Sequence, residues 1–312
     1  MEPKTALAFA PAVISNFFAV HNEGLHLKPP DYSRVGATGG GFTLSKGVYT
    51  HARLVPSSSR GISVAVNSDA SYPAATTRKA VELLLKGTEQ PPYLVELVQT
   101  VEVPIGAGFG SSSASALSAV MAVAEALKLQ LSKERVASFA HEADIMRHTG
   151  LGTVSSTYNQ SGAAIIVRPG GPGVAQLMSV RVPEGLQVIT ACISGKRKRS
   201  LLSSKRMQTK VNALGEAALG KASDLEMKSL LAAGHFFAEG LGIMTRAVEH
   251  LISAALENGA LGASQNMVGN SMHAVVRDRD LNRISSVLQS VSKKARIDSF
   301  RIGGRSARIL AE

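Results

Sequence analysis

The sequence predicts an α+β protein of two domains, and three observations support this. First, its 312 residues are about twice the usual size of one domain. Second, predicted strands and helices follow one another without the regular alternation of a doubly wound parallel sheet. Third, 45% hydrophobic and 18% charged residues indicate a folded globular chain and exclude disorder. We place the boundary near Pro183, which divides the chain into residues 1–183 and 184–312.

The first domain is predicted to begin with strands. Residues 6–20 are apolar, and because Pro11 interrupts them and only Lys4 is basic before them, we interpret them as a buried strand rather than a signal peptide. Two β-type runs split by Lys46 and Gly47 predict a hairpin over 42–55. The elements predicted next are a helix over 74–86, a strand over 93–103, helices over 113–129 and 132–147, and strands over 161–168 and 174–182.

The second domain is predicted to be mostly helical, with one strand before the helices and two after them. Its predicted elements are a strand over 187–193, helices over 207–222, 224–258, 264–276 and 280–293, and strands over 295–302 and 306–311. The long apolar helical region 224–258 is compatible with a homodimer.

Charge and cysteine content narrow the function classes. Lys and Arg exceed Asp and Glu by 34 to 23, a net charge of +11, which favours phosphorylated ligands or polyanions. Seven of these basic residues and no acid lie in 195–210. No aromatic residues are interleaved with this basic stretch, and the chain has no Trp and few Phe or Tyr. A small ligand is therefore favoured over nucleic acid. Because Cys192 is the one cysteine of the sequence, an internal disulfide is excluded and a cytoplasmic location is favoured. No apolar run in the sequence is long enough to predict a membrane span.

The most informative segment is a glycine-serine loop between a predicted strand and a predicted helix. It runs from Pro104 to Ser115, with glycines at 106, 108 and 110 and serines at 111, 112 and 113. Glycines let backbone amides turn toward one point, and the first turn of a helix adds unpaired amides with a partial positive charge. The loop therefore predicts a phosphate-binding site.

Two other phosphate motifs do not fit. The loop reads G-x-G-x-G rather than the dinucleotide fingerprint G-x-G-x-x-G, and no acidic residue follows at the required distance. Residues 215–222 resemble a P-loop, but Ala222 replaces the magnesium-binding hydroxyl residue and no strand precedes them.

The loop resembles that of the GHMP small-molecule kinases, P-x-G-x-G-hydrophobic-G-S-S-[SA]. The archaeal pantoate kinase group is indicated by further segments along nearly the whole chain, at 9–18, 36–48, 149–152 and 265–270. The resemblance implies the two-domain GHMP fold, with an N-terminal domain like ribosomal protein S5 and a ferredoxin-like C-terminal domain. It also implies transfer of the γ-phosphoryl group of ATP to the 4-hydroxyl of pantoate in coenzyme A biosynthesis.

The resemblance also assigns roles to residues of this chain. ATP would be held by Pro104, Gly106, Ala107, Gly108, Phe109, Gly110, Ser111, Ser112 and Ser113. Mg²⁺ would be held by Ser112 and Asp144, with Glu142 as a second choice. A different alternative is a metal site formed by His141, Asp144 and His148, which share one helix face at i, i+3 and i+7.

Two positions depart from the family pattern. Thr153 replaces the Asp of T-G-L-G-D, and Thr cannot act as a base near pH 7. Val13 replaces the His of P-x-H-I-[ST]. Thr153 and Ser15 are then the candidate residues that orient the acceptor hydroxyl. The acceptor site is predicted to include Ser15, Asn16, His21, Thr149 and Arg308.

These departures leave alternatives open. The acceptor is pantoate or another small hydroxy-acid such as a mevalonate-type acid. A nucleotide-binding protein that has lost turnover would keep the loop and lose the acceptor chemistry. The basic stretch 195–210 would cover phosphates, bind a substrate carboxylate, bind nucleic acid or simply be solvated.

Overall fold

The computed structural model describes residues 2–193, 204–267 and 269–311, and it confirms an α+β fold built around two sheets. The larger sheet has seven strands, with the order β11-β1-β2-β4-β3 and with β5 and β6 continuing from β2. Its strands are β1 (Lys4–His21), β2 (Gly36–Pro56), β3 (Gly61–Val66), β4 (Tyr93–Val101), β5 (Ala163–Arg168), β6 (Gln176–Val180) and β11 (Arg308–Leu310).

The smaller sheet has four strands in the order β10-β7-β9-β8. They are β7 (Leu186–Ile193), β8 (Gly262–Gln265), β9 (Ser271–Arg277) and β10 (Ala295–Arg301). The chain returns to the larger sheet at its end, where β11 pairs with β1. The division at residue 183 separates most strands of the two sheets and stays a prediction.

The helices cover both sheets. They are α1 (Ala75–Gly87), α2 (Ser111–Ala126), α3 (Lys133–Met146), α4 (Thr153–Thr157), α5 (Lys205–Lys221), α6 (Met227–Leu241), α7 (Arg246–Glu257) and α8 (Leu281–Val291). Among these described helices, none has the length and hydropathy needed to cross a bilayer. The α3 helix begins as predicted, because the Ser132 side chain caps it by accepting from the amide of Arg135.

The strands β1 and β2 form one long antiparallel pair, and the hairpin predicted within 42–55 is wrong. Gly47 lies inside β2 beside Ala10 and Pro11, where a Cβ would come within 2.1 Å of the Ala10 carbonyl oxygen. Glycine therefore permits close strand contact here rather than a turn. The pairing shifts register between Pro11 and Val13, which accommodates a proline that has no amide hydrogen to donate.

Two predicted helices also differ from the structure. Residues 264–276 form the hairpin of β8 and β9 instead of a helix. Every residue from Ser271 to Val276 is buried, because the two faces of this sheet are covered by different apolar clusters. A strand buried on both faces lacks the alternation that distinguishes it from a helix. The region 224–258 is two helices, since α6 ends at Gly242 with φ of 65°.

The fold brings three segments to one point. The loop between β4 and α2 lies at the start of α2, which packs on β1 and β2. The turn between β8 and β9 approaches this loop from the smaller sheet, and the start of α4 approaches it beside β1. The strand β3 and the short helix α4 were not predicted from the sequence.

Candidate active site

The glycine-serine loop has the backbone geometry of an anion cradle. Gly106, Gly108 and Gly110 adopt φ of +76°, +86° and +60°, a region that glycine occupies without strain. Gly110 is the residue before the first turn of α2, and no side chain caps this end. Within the described residues, the amides from Gly108 to Ser113 donate no hydrogen bond. An anion placed here would receive several donors and the positive end of the helix dipole.

The loop is fixed by contacts on both sides. The amide of Val13 in β1 donates to the Phe109 carbonyl at 3.0 Å. The Phe109 ring is 1% exposed and meets the edge of Phe300 with 5.9 Å between ring centres. On the other side, the Ala107 carbonyl accepts from Asn266 and Ser271. These contacts hold the loop in place without a ligand.

The three serines of the loop differ in their surroundings. Ser111 and Ser113 are buried, whereas Ser112 is half-buried and makes no side-chain hydrogen bond in the described part of the chain. The Ser113 hydroxyl donates to Asp144 Oδ2. Neither Ser111 nor Ser112 makes a side-chain hydrogen bond within the described residues, and Ser112 is the more exposed of the two. The role of Ser112 toward a metal ion stays a prediction.

Asp144 lies beside the loop in a fully buried position, 1% exposed. The Thr149 hydroxyl donates to its Oδ1 at 2.7 Å. Burial raises the pKa of Asp144 from 3.8 to about 6, although the hydrogen bonds from Ser113 and Thr149 oppose this shift. The carboxyl group is therefore mostly ionised at pH 7 and supplies the negative charge next to the serines.

Glu142, the second choice for the metal, faces elsewhere. It lines a small polar cavity together with Tyr32 and Arg135, and burial raises its pKa. The structure thus places Asp144, and not Glu142, beside the serines. The direct contact of the Asp144 carboxylate is with Ser113 rather than with Ser112.

The alternative metal site at His141, Asp144 and His148 is not assembled. His141 Nε2 lies 2.9 Å from the Val35 carbonyl oxygen and 3.2 Å from that of Tyr32, so it is an N–H donor rather than a ligand. Burial lowers the pKa of His141. In residues 2–193, 204–267 and 269–311, no group of three or more His, Cys, Asp or Glu side chains is placed to hold a metal ion.

The two positions that depart from the family pattern lie against the same glycine. A Cβ added to Gly110 would come within 2.6 Å of Val13 Cγ1 and 3.1 Å of Thr153 Cγ2. Thr153 is the first residue of α4. Ser15 lies two residues after Val13 on the same face of β1, because residues i and i+2 of a strand share a face. Thr153 and Ser15 therefore remain the hydroxyl groups predicted to orient an acceptor.

The other predicted acceptor residues are more dispersed. Asn16 is buried and its amide donates to the Leu230 carbonyl in α6 at 3.4 Å. His21 Nε2 lies 3.1 Å from Thr38 Oγ1 at the end of β1. Arg308 lies in β11 opposite Phe9, and its buried Nε has no partner among the described residues. Their roles toward an acceptor stay predictions.

Sequence reasoning missed three residues near the loop. Thr76 Oγ1 lies 3.1 Å from Thr149 Oγ1 and extends the hydrogen bonds around Asp144. Asn266 and Ser271 contact Ala107 from across the molecule. The segment 265–270 was noted only for its resemblance, and no local pattern shows which loop it contacts.

Of the predicted basic stretch 195–210, residues 195–203 lie outside the described residues. Lys205, Arg206 and Lys210 lie in α5, and the Lys210 ammonium donates to the Leu241 carbonyl at 3.2 Å.

Comparison with known proteins supports the resemblance to the GHMP kinases. Residues 75–160 match the family described as GHMP kinases N terminal domain, and this range contains the loop, the serines, Asp144 and Thr153. This part of the chain is thus similar to the N-terminal domain of the GHMP kinases. The resemblance predicted from the sequence is therefore confirmed.

Known kinases and solved structures are similar to 60% or more of the chain. A pantoate kinase of Methanospirillum hungatei is 26% identical over 287 residues, which cover 88% of this chain and 89% of the relative. A mevalonate kinase of Pyrococcus furiosus is 25% identical and covers 60% of each chain. A solved structure titled as a phosphotransferase related to the CoA biosynthesis pathway superposes with a TM-score of 0.83 at 24% identity, covering 98% of both chains. This likeness confirms the GHMP fold.

Proposed function

We propose that this protein is an ATP-dependent kinase that transfers the γ-phosphoryl group to a hydroxyl of a small hydroxy-acid, with pantoate as the acceptor and 4-phosphopantoate as the product. The observation that carries the proposal is the set of unpaired amides from Gly108 to Ser113 at the start of α2. The pantoate kinase of Methanospirillum hungatei, similar over 88% of this chain, supports the choice of acceptor.

The residues present fit ATP and Mg²⁺. The amide cradle suits phosphate oxygens, and an added Cβ at Gly108 or Gly110 would meet neighbouring atoms within 2.7 Å. Ser112 and Asp144 supply a hydroxyl and a carboxylate, the hard oxygen ligands that Mg²⁺ prefers together with phosphate oxygens. Magnesium, when bound, neutralises charge on the transferred phosphoryl group.

Positioning accounts for the remaining chemistry that this chain supplies. The helix α2 presents its amino end to the phosphates, and Thr153 and Ser15 orient the acceptor hydroxyl. Neither hydroxyl is a base near pH 7, so the acceptor proton leaves to the phosphate oxygens or to water as the new P–O bond forms. Phosphoryl transfer depends mostly on alignment and charge neutralisation, which makes such a site workable.

The test is ADP release by the purified protein with Mg-ATP and pantoate, mevalonate, homoserine or no acceptor. We expect turnover that is selective for pantoate and negligible ATP hydrolysis without an acceptor. Selective turnover with mevalonate would instead identify a mevalonate-type acceptor.

A second candidate function is a nucleotide-binding protein with little or no turnover. The apolar contact of Val13 and Thr153 against Gly110 favours it, because no ionisable group stands at either position. No ADP release with any acceptor, together with an ATP-induced rise in melting temperature, would support this candidate and contradict the kinase.

The hydroxyl of Thr153 can be tested by itself. Thr153→Val keeps the methyl group beside Gly110 and removes the hydroxyl, whereas Thr153→Ser does the opposite. We expect Thr153→Val to lower kcat with pantoate by about tenfold, the effect of roughly one lost hydrogen bond in the transition state. Thr153→Ser should keep kcat within about threefold of the wild type. Equal kcat values for the two variants would show that the Thr153 hydroxyl does not contribute to phosphoryl transfer.

A further inference from the structure

The carbonyl group of Ala107, in the middle of the phosphate loop, is held from the smaller sheet. Asn266 Nδ2 lies 3.3 Å and Ser271 Oγ lies 2.5 Å from the Ala107 oxygen. Both side chains are completely buried. A surface loop would normally be solvated by water, so two buried donors on one of its carbonyls need a reason.

The direction of these hydrogen bonds follows from the acceptor. Because a carbonyl oxygen only accepts, Asn266 donates through Nδ2, and its Oδ1 is left to accept from His273 Nδ1 at 2.8 Å. His273 is fully buried, and burial lowers its pKa to about 3. The ring is therefore neutral and carries its single N–H at Nδ1. A series of hydrogen bonds thus connects His273 through Asn266 to the Ala107 carbonyl.

The backbone is fitted closely at both ends of this contact. A Cβ on Gly108 would come within 2.7 Å of Asn266 Cβ. A Cβ on Gly269 would come within 2.4 Å of the Ala107 oxygen. Two glycines thus allow the turn between β8 and β9 to touch the loop backbone, and any larger residue would push them apart.

The held carbonyl sets the direction of the next amide. In a trans peptide the C=O of one residue and the N–H of the following residue point in opposite directions. With the Ala107 carbonyl turned toward the smaller sheet, the Gly108 N–H points away from it. This amide has no acceptor in the described residues.

We propose that Asn266, Ser271 and His273 are positioning residues that fix the Ala107–Gly108 peptide so that its N–H is presented to the phosphates of the nucleotide. The proposal rests on the proposed function, since it concerns the same phosphate loop. Without these residues the peptide is free to rotate, and the cradle loses a preorganised donor.

A matched pair of serine variants tests the proposal. Ser271→Ala removes one donor to Ala107. Ser264→Ala is the control, because Ser264 on the neighbouring strand is also buried and its hydroxyl donates to a backbone carbonyl, that of Gly234 at 3.0 Å. We expect Ser271→Ala to weaken Mg-ATP binding in calorimetry, and to raise the KM for ATP, by about five- to tenfold. The KM for pantoate should stay unchanged, and Ser264→Ala should bind Mg-ATP like the wild type.

Asn266→Asp provides an independent variant in case Ser271→Ala folds poorly. It keeps an acceptor for His273 and replaces the donor to Ala107 by an oxygen, so Mg-ATP affinity should fall at least as much as in Ser271→Ala. Equal Mg-ATP affinity in wild type, Ser271→Ala and Asn266→Asp would overturn the proposal, as would equal losses in Ser271→Ala and Ser264→Ala.

Amide hydrogen exchange separates this proposal from the proposed function. In the nucleotide-free protein, the peptide covering 105–110 should exchange faster in Ser271→Ala than in the wild type and in Ser264→Ala. Equal exchange in all three would show that the loop is not held by Ser271. Absence of Mg-ATP binding by the wild type, with faster exchange in Ser271→Ala, would reject the kinase and its nucleotide while keeping the contact that holds the loop.

Discussion

Replacing Asp144 by asparagine is expected to lower phosphoryl transfer strongly and to make the protein more stable at neutral pH. The variant keeps the size of the side chain. Its Oδ1 can accept from one of the two hydroxyls that donate to the carboxylate, those of Ser113 and Thr149, and its Nδ2 can donate to the oxygen of the other. It removes the carboxylate proposed to bind magnesium. Loss of such a preorganised charge typically costs 10²- to 10³-fold, so we expect kcat/KM for ATP to fall by about 100-fold or more.

The gain in stability follows from the raised pKa of Asp144. Well below pH 3.8 the carboxyl group is protonated in both the folded and the unfolded state. Between pH 3.8 and about 6 the folded state retains the proton and the unfolded state loses it, so this contribution to stability is lost as the pH rises. Above about pH 6 the buried charge lowers the free energy of unfolding by about 3 kcal/mol. Asparagine carries no charge and avoids this cost.

Chemical denaturation at pH 5 and pH 8, together with ADP release, checks both effects. The wild type should lose more stability than Asp144→Asn between these two values. Glu142→Gln is the matched control, because Glu142 lies on the same helix and has a raised pKa but faces the cavity near Tyr32. Its activity should stay within about threefold of wild type. Full activity of Asp144→Asn would show that the Asp144 carboxylate is not required for binding magnesium.

The raised pKa of Asp144 also predicts that kcat/KM for ATP decreases at acidic pH. Magnesium binding needs the ionised carboxylate, so kcat/KM for ATP should decrease as the pH falls through about 6. The profile of Glu142→Gln should show the same decrease. A profile that is flat from pH 5 to pH 8 would contradict the assignment.

Replacing Gly108 by alanine is expected to distort the phosphate loop far more than the same change at Gly106. Both residues have positive φ, +86° and +76°, so each variant incurs backbone strain of about 1–2 kcal/mol. Only at Gly108 does the new methyl group also meet Asn266 Cβ at 2.7 Å, whereas nothing lies within 4 Å of it at Gly106. Overpacking of this kind adds about 1–3 kcal/mol.

Melting curves recorded with and without Mg-ATP compare the stabilities of Gly108→Ala and Gly106→Ala. Gly108→Ala should lose about 3 kcal/mol of unfolding free energy and show no stabilisation by Mg-ATP. Gly106→Ala should lose about 1 kcal/mol, attributable to strain alone, and keep a nucleotide-dependent shift. Indistinguishable curves for the two variants would mean that Asn266 moves aside and that the close contact does not control the loop.

The strongest local signals in the sequence correspond to correct elements. Ser132 marks the start of α3, and the glycine run before the first serines marks the start of α2. These signals depend on neighbouring residues, because caps and glycine conformations are set within a few positions along the chain. The helix predicted over 264–276 was wrong because the structure there depends on residues that are distant in the sequence. A strand covered on both faces has the same apolar run as a buried helix, and its partners lie far away in the sequence.

By itself the sequence determined the α+β class, the phosphate loop and the resemblance to the GHMP kinases, because those features depend on contiguous residues. Only the tertiary structure decided which carboxylate stands beside the serines, since Asp144 and Glu142 are separated by two positions of one helix and point to different surroundings. It also brought Val13 and Thr153 to the same glycine and Asn266 and Ser271 to Ala107. These contacts join residues that are far apart in the sequence, by up to 164 positions. No local pattern constrains such distances, and tertiary packing determines them.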